Sequence, residues 1–254
     1  MRTMFSIVFV FLVSTAFADD KLITLDTRPG VLVSIYSMKQ KGASATVVLL
    51  PGGAGDLKIN KGVPSSNNFL VRSREYFIAN GFNVMVVGNP TDMSDLDNSF
   101  RTSRQHVEDL LKVVEFARKD SGLPVWLIGT SRGSVSAAAA AIAFGSRELA
   151  GIVLTSSITG NKGIRGVQAQ ELEAIRIPVL VVHHEKDSCN SCNPINVSQI
   201  TKGLSNAPIK KQIMVNGGAN PSGDACAAMH WHGFIGMERE AGDIISNWIK
   251  KPKA

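Results

Sequence analysis

Short runs of aliphatic and β-branched residues alternate along this chain with longer stretches in which apolar positions recur every three or four residues. The runs at 21–25, 31–37, 45–50, 83–87, 125–128, 151–155, 179–183 and 211–215 predict strands. Val47-Val48-Leu49-Leu50 and Val179-Leu180-Val181-Val182 contain no polar residue, as expected of strands covered on both faces. Helical spacing covers 69–79, 103–119, 134–144, 195–204 and 237–250. In the last of these Met237, Ala241, Ile244, Ile245 and Trp248 form one apolar stripe, which predicts burial against a sheet. The alternation predicts an α/β fold, a mostly parallel eight-stranded sheet with helices on both faces. Only Asp26 and the turn Thr27-Arg28-Pro29-Gly30 separate the first two runs. That is too short for a crossover and predicts an antiparallel hairpin.

The amino-terminal segment follows neither pattern. Arg2 is followed by an apolar run from Met4 to Val13 and then by Ala16-Phe17-Ala18, with small residues at both positions that matter for cleavage. Residues 1–18 are therefore expected to be a signal peptide removed before Asp19, and the protein to be secreted or periplasmic. An apolar run of about ten residues falls short of the roughly 20 needed to cross a bilayer. No cysteine near the cleavage site offers a lipid anchor. Residues 19–254 show no repeat, low-complexity tract or long linker, which predicts one domain. About twenty residues between Thr155 and Ile177 are too few for a large lid.

With 254 residues, 44% of them hydrophobic, the chain can bury a core without a structural metal. Its formal charge of +6 includes Arg2, so the segment from Asp19 onward carries one less, +5. The Lys and Arg residues are scattered and aromatics are few, a pattern that argues against nucleic acid as a partner.

The candidate chemistry lies at Gly129-Thr130-Ser131-Arg132-Gly133, between the apolar run 125–128 and an alanine-rich helical stretch. A serine hydroxyl is a weak nucleophile unless it is held exposed and given a base. A sharp strand–turn–helix holds it so, and flanking glycines let strand and helix approach without Cβ clashes. A bare G-x-S-x-G is equally a glycine-rich turn; the strand before it and the helix after it single out Ser131 as nucleophile. Run 45–50 leads into Pro51-Gly52-Gly53-Ala54-Gly55-Asp56, where main-chain N–H groups can face a developing negative charge. The amides of Gly53 and Arg132 are the expected oxyanion donors. A phosphate loop fails here, because the chain has no Gly-Lys pair and Lys58 stands where a dinucleotide fingerprint needs glycine.

After such an elbow the acid follows the serine and the histidine comes last. His106 precedes Ser131, and His183 and His184 precede the acid, leaving His232 and His230. His232 is preferred because His232-Gly233-Phe234 opens into the final helix. The acid is Asp187, just past run 179–183, with Glu185 as the alternative.

Together these residues make the chain resemble the α/β-hydrolase superfamily, and within it small exported bacterial proteins of the dienelactone-hydrolase or esterase-like kind. The likeness is carried by Leu50-Pro-Gly-Gly-Ala-Gly, Phe69-Leu-Val-Arg-Ser-Arg, Gly129-Thr-Ser-Arg-Gly-Ser, Pro178-Val-Leu-Val-Val-His-His, Asp187-Ser-Cys, Gly223-Asp-Ala-Cys and His232-Gly-Phe. It extends from Ala45 to Trp248. The resemblance implies an α/β-hydrolase fold without a large lid, and a serine esterase acting on a small-molecule ester or related acyl compound without cofactor or metal.

The chain departs from the family pattern in its acid loop, which reads Cys189-Asn-Ser-Cys192 where relatives carry a single cysteine. That single cysteine matches Cys189, and the resemblance implies a disulfide to Cys226, with Cys192 as the competing partner. One of the three thiols is left over. Two rival readings remain: a non-catalytic binding protein on the same fold, and a zinc-dependent hydrolase using Cys189, Cys192, His230 and His232. The zinc reading leaves Ser131 and the glycine loop unexplained.

Overall fold

The computed structural model describes residues 19–160 and 166–254; residues 1–18, and with them the expected signal peptide, lie outside the described residues. The strands are β1 (Asp19–Arg28), β2 (Val31–Lys39), β3 (Thr46–Leu50), β4 (Ile59–Asn60), β5 (Val63–Pro64), β6 (Asn83–Pro90), β7 (Val125–Thr130), β8 (Gly151–Thr155), β9 (Val179–His184) and β10 (Lys210–Val215). Eight of them form one sheet in the order β1-β2-β6-β3-β7-β8-β9-β10, and β4 and β5 pair as a small separate hairpin. β1 and β2 are antiparallel, as are β2 and β6. Every pair from β6 through β10 is parallel. Gly30, at φ +73°, makes the tight turn of the β1–β2 hairpin.

Strand side chains alternate between two cores. In β3, Val48 and Leu50 enter one, and Val47 and Leu49 the other. The first core is closed by α4 (Arg104–Ser121), α5 (Arg132–Phe144) and α6 (Val197–Gly203). The second is closed by α1 (Phe69–Arg72), α2 (Arg74–Ala79) and α7 (Glu238–Lys250). The stripe on α7 buries Ala241, Ile245 and Trp248, with Trp248 edge-on to Trp126 at 5.8 Å. Each large apolar side chain so buried contributes about 1.5–3 kcal/mol. On α4, Ser103 caps the start by accepting from the His106 amide, and Gly122 ends it in the left-handed region.

Besides the β4–β5 hairpin, two local features differ from expectation. The single helix expected over 69–79 is broken at Ser73, where the Arg74 guanidinium donates to the Val71 carbonyl and replaces a helical partner. A short helix, α3 (Asn98–Arg101), forms in a polar stretch with Asp97 as its cap. No helix among the described residues is long and apolar enough to cross a membrane. The carboxyl ends of β3, β7 and β9 lie near one another in the parallel sheet, the edge at which open α/β sheets place their sites.

Candidate active site

Ser131 sits between β7 and α5 with φ 54° and ψ −125°, a conformation that costs on the order of 1–3 kcal/mol for a residue other than glycine. Close packing holds it there. A Cβ on Gly129 would lie 2.2 Å from the Gly133 carbonyl oxygen, and one on Gly133 would lie 2.0 Å from that of Leu50. One on Gly52 would lie 2.7 Å from the Ser131 Cβ. The three glycines let β7, α5 and the loop after β3 interlock around the hydroxyl. The Ser131 amide donates to the Thr155 carbonyl at 3.0 Å, and the Ser134 hydroxyl donates to the Ser131 carbonyl at 2.6 Å.

Asp187 follows β9 and is buried. Its Oδ2 accepts from His232 Nδ1 at 2.8 Å and lies 3.3 Å from His183 Nε2, and its Oδ1 accepts from the Cys189 amide at 3.0 Å. Burial alone would raise the Asp187 pKa, but the hydrogen bonds from His183 and His232 outweigh it and hold the carboxyl at about 2. Asp187 is thus a fixed anion that accepts a hydrogen bond from the Nδ1–H of His232, which leaves Nε2 with its lone pair. The alternatives fall elsewhere: Glu185 is exposed and accepts from Asn216, and His230 Nδ1 is buried with no partner.

The histidine loop is anchored from several sides. The Ser156 hydroxyl donates to the His232 carbonyl at 2.7 Å, and Arg72 donates to that of Gly233 at 2.6 Å while pairing with Glu238 at 3.0 Å. The Phe234 ring packs on Phe69 at 4.8 Å. A Cβ on Gly233 would meet the Ala228 carbonyl oxygen at 1.8 Å, so only glycine fits beside the imidazole. Cys189 and Cys226 are disulfide-bonded, tying the acid loop to the histidine loop, and Cys192 remains a buried thiol. Burial and then Asp187 push that thiol well above its ordinary pKa, while a hydrogen bond with Ser131 works the other way. The Sγ atoms of Cys189 and Cys192 and a ring nitrogen of His232 lie within 4.8 Å of one another; His230 is not in that group.

Sequence reasoning missed the residue that holds the glycine loop. Arg101, at the end of α3, is 1% exposed. It donates to the carbonyls of Pro51 at 3.1 Å, Gly53 at 3.2 Å and Leu96 at 2.8 Å, and to the Ser136 hydroxyl at 2.9 Å. Pro51 and Gly53 flank the peptide that carries the Gly53 N–H. Burial, followed by Arg132, pulls the Arg101 pKa down to about 9, which leaves it charged at neutral pH. His106 joins Ser136 at 2.8 Å, and burial holds it neutral with a pKa of about 3. Nothing in the polar sequence around Arg101 marks it as buried. Arg132 presents its side chain outward to exposed Asp95 at 3.1 Å. Asp224 accepts from the Cys226 amide at 2.8 Å and so turns its own loop.

Ser131 and His232 line one open cavity of about 350 Å³ together with Gly52, Gly53, Phe69 and Cys226. Their side chains share that cavity without a hydrogen bond between them among the described contacts. Such contacts commonly tighten only when substrate is bound.

No protein-family model matches the chain, and no curated protein matches it in sequence. Solved structures do match. An esterase from Pyrococcus furiosus superposes with a TM-score of 0.68 at 14% identity, over 92% of this chain and 93% of that one. A dienelactone hydrolase from Anabaena variabilis gives 0.65 at 13% identity, over 92% and 97%. An α/β serine hydrolase without a lid from Xanthomonas campestris gives 0.60 at 17% identity, over 90% and 94%. At these identities the likeness is one of fold. The chain has the α/β-hydrolase fold.

Proposed function

We propose that this chain is an exported serine hydrolase that cleaves a small carboxylic ester. One observation carries the reading: the 2.8 Å bond between Asp187 and His232 Nδ1, on a loop that faces Ser131 across a shared cavity. Ser131 Oγ attacks the ester carbonyl carbon while His232 Nε2 takes its proton. Asp187 holds the imidazole and stabilises its charged form. The carbonyl oxygen becomes an oxyanion, received by the amides of Gly53 and Arg132, each worth about 3–4 kcal/mol in comparable sites. His232 returns the proton to the leaving alkoxy oxygen, and the acyl group stays on Ser131. Water, deprotonated by His232, then releases the acid.

Structures of the same fold include esterases and a dienelactone hydrolase, which supports an acyl substrate. The cavity volume of about 350 Å³ suits a short acyl chain. Export rests on the charged, apolar and small-residue succession in residues 1–18, and on the disulfide, a bond that persists in oxidising compartments.

A fluorophosphonate probe tests the reading. The purified protein is expected to be labelled once per chain, and Ser131→Ala to take no label and lose p-nitrophenyl acetate hydrolysis. Absence of labelling in the folded wild-type chain would instead favour a binding protein.

A further inference from the structure

The reaction above leaves the Cys192 thiol unused, although it is buried beside the nucleophile. The three cysteines of the chain converge on the imidazole. Cys189 and Cys192 have their sulfurs within 4.8 Å of a His232 ring nitrogen, and the Cys226 sulfur is bonded to that of Cys189. We propose that reduction of the Cys189–Cys226 disulfide turns this cluster into a binding site for a thiophilic divalent cation, zinc being the best fit, in which His232 serves as a ligand.

Three thiolates and one imidazole form a Cys₃His set, a common tetrahedral environment for zinc. Bond lengths of about 2.3 Å to sulfur and 2.0 Å to nitrogen put such ligand atoms roughly 3.5–3.8 Å apart. The ligand atoms of Cys189, Cys192 and His232 therefore need to close by at most about an ångström, while the Cys189 and Cys226 sulfurs separate once their bond is opened. His232 is already oriented for the task. Its Nδ1 donates to Asp187, leaving Nε2 for a cation, and a carboxylate behind the imidazole is the usual support of a zinc-bound histidine. Entry is provided by Cys226, which is exposed and lines the cavity shared by Ser131 and His232.

With the disulfide closed, two of the four ligands are tied up and the site does not form. Opening it takes two electrons and two protons. Two thiols supply both and become a disulfide, or one phosphine supplies the electrons and becomes its oxide while water gives the oxygen and the protons. In either case the S–S bond becomes two thiols. The cation then displaces the thiol protons to solvent, with no change in its own oxidation state. Binding does not depend on the proposed hydrolysis. Inhibition does, because it rests on His232 being the base.

The test is to reduce the purified chain with a phosphine, without oxygen, and titrate it with Co²⁺. The expected result is an intense sulfur-to-cobalt charge-transfer band that saturates at one cobalt per chain, is displaced by Zn²⁺, and is absent from the unreduced protein. Cys192→Ser should lose about a third of the band, one thiolate of three. Ser131→Ala should keep all of it, so the site stands or falls apart from the hydrolase reading. Zinc should abolish ester hydrolysis by the reduced chain, and a chelator should restore it. Near-UV circular dichroism of the reduced chain should match that of the oxidised one. The proposal is overturned if the reduced, folded chain shows no thiolate–cobalt band. It is overturned equally if Cys192→Ser and His232→Gln leave the band unchanged, or if the band arises only after the near-UV signal is lost.

Discussion

Two glycine-rich loops meet at Ser131, and they are held by opposite means. The histidine loop after β10 is tied at several points: a disulfide from Cys226, hydrogen bonds to the carbonyls of His232 and Gly233, and ring packing at Phe234. The loop after β3 depends on one side chain, Arg101, which reaches the carbonyls of Pro51 and Gly53 while also holding Ser136 on α5. On the proposed hydrolysis, the difference follows from what each loop would present. An imidazole has to be aimed, which a carboxylate and several anchors achieve. An amide N–H has to be turned, which requires a grip on the neighbouring carbonyls. A planar guanidinium with five donors can provide that where lysine cannot. Arg101 makes no salt bridge among the described residues, so its charge is held by carbonyl dipoles.

The largest effect is expected on the histidine side. Asp187→Asn keeps the shape but removes the anion and disturbs the imidazole tautomer. The value of kcat should fall about 10⁴-fold with KM little changed. The same substitution should alter acid stability. Asp187 is held at about 2, below its ordinary 3.8, so the folded state favours the ionised form. That stabilisation is complete above about pH 4 and is lost as pH falls towards 2, an effect of about 2 kcal/mol. Urea midpoints measured between pH 5 and pH 2 should drop more steeply for the wild-type chain than for Asp187→Asn. Parallel curves would mean that the carboxylate is not held by its two histidines.

The next effect sharpens the contrast. Arg101→Met fills a similar volume and removes a buried cation, but it leaves the carbonyls of Pro51, Gly53 and Leu96 without their donor, at about 1–3 kcal/mol of stability for each that water does not reach. If the guanidinium sets the oxyanion peptide, kcat should fall about 100-fold, the scale of losing one oxyanion donor, with KM less affected. A trifluoromethyl ketone, which mimics the tetrahedral intermediate, should lose affinity by a similar factor while a product carboxylic acid does not. Equal losses for both ligands would reduce Arg101 to a structural role. Arg101→Lys should recover little, since an ammonium cannot make the planar set of contacts.

The asymmetry between the loops also governs what could be read from the chain. The central strands β3, β7, β8 and β9 were legible because each is an apolar run buried along its whole length, the edge strands β1 and β10 by shorter apolar runs among polar residues, and the elbow at Ser131 by its glycines at 129 and 133, where a Cβ would collide with backbone. Asp187 and His232 were legible by chain order, and the structure joins those two rather than Glu185 or His230. The pairing of Cys226 with Cys189 followed from family likeness alone, since spacing suited Cys192 as well. Arg101 was not legible. It lies in a polar stretch between strand and helix, and burial of a lone charged residue there is decided by tertiary contacts fifty residues away, at Pro51. The break at Ser73 was hidden for a similar reason, because the Arg74 side chain that satisfies Val71 leaves no mark in the apolar spacing.

The smallest effect on catalysis is expected from the strongest bond. Cys226→Ser opens a loop of 37 residues, and the entropy regained by the unfolded chain should lower stability by about 2–4 kcal/mol. Activity should suffer far less, because the Asp187–His232 bond and the contacts from Arg72 and Ser156 still aim the imidazole. The loss in kcat/KM should stay well short of the roughly 100-fold that an ångström of misplacement costs. Urea unfolding and ester kinetics on the same preparation measure both quantities. A kcat loss larger than that of Arg101→Met would reverse the comparison, since the covalent tie would then aim the imidazole and the hydrogen bonds would only follow it.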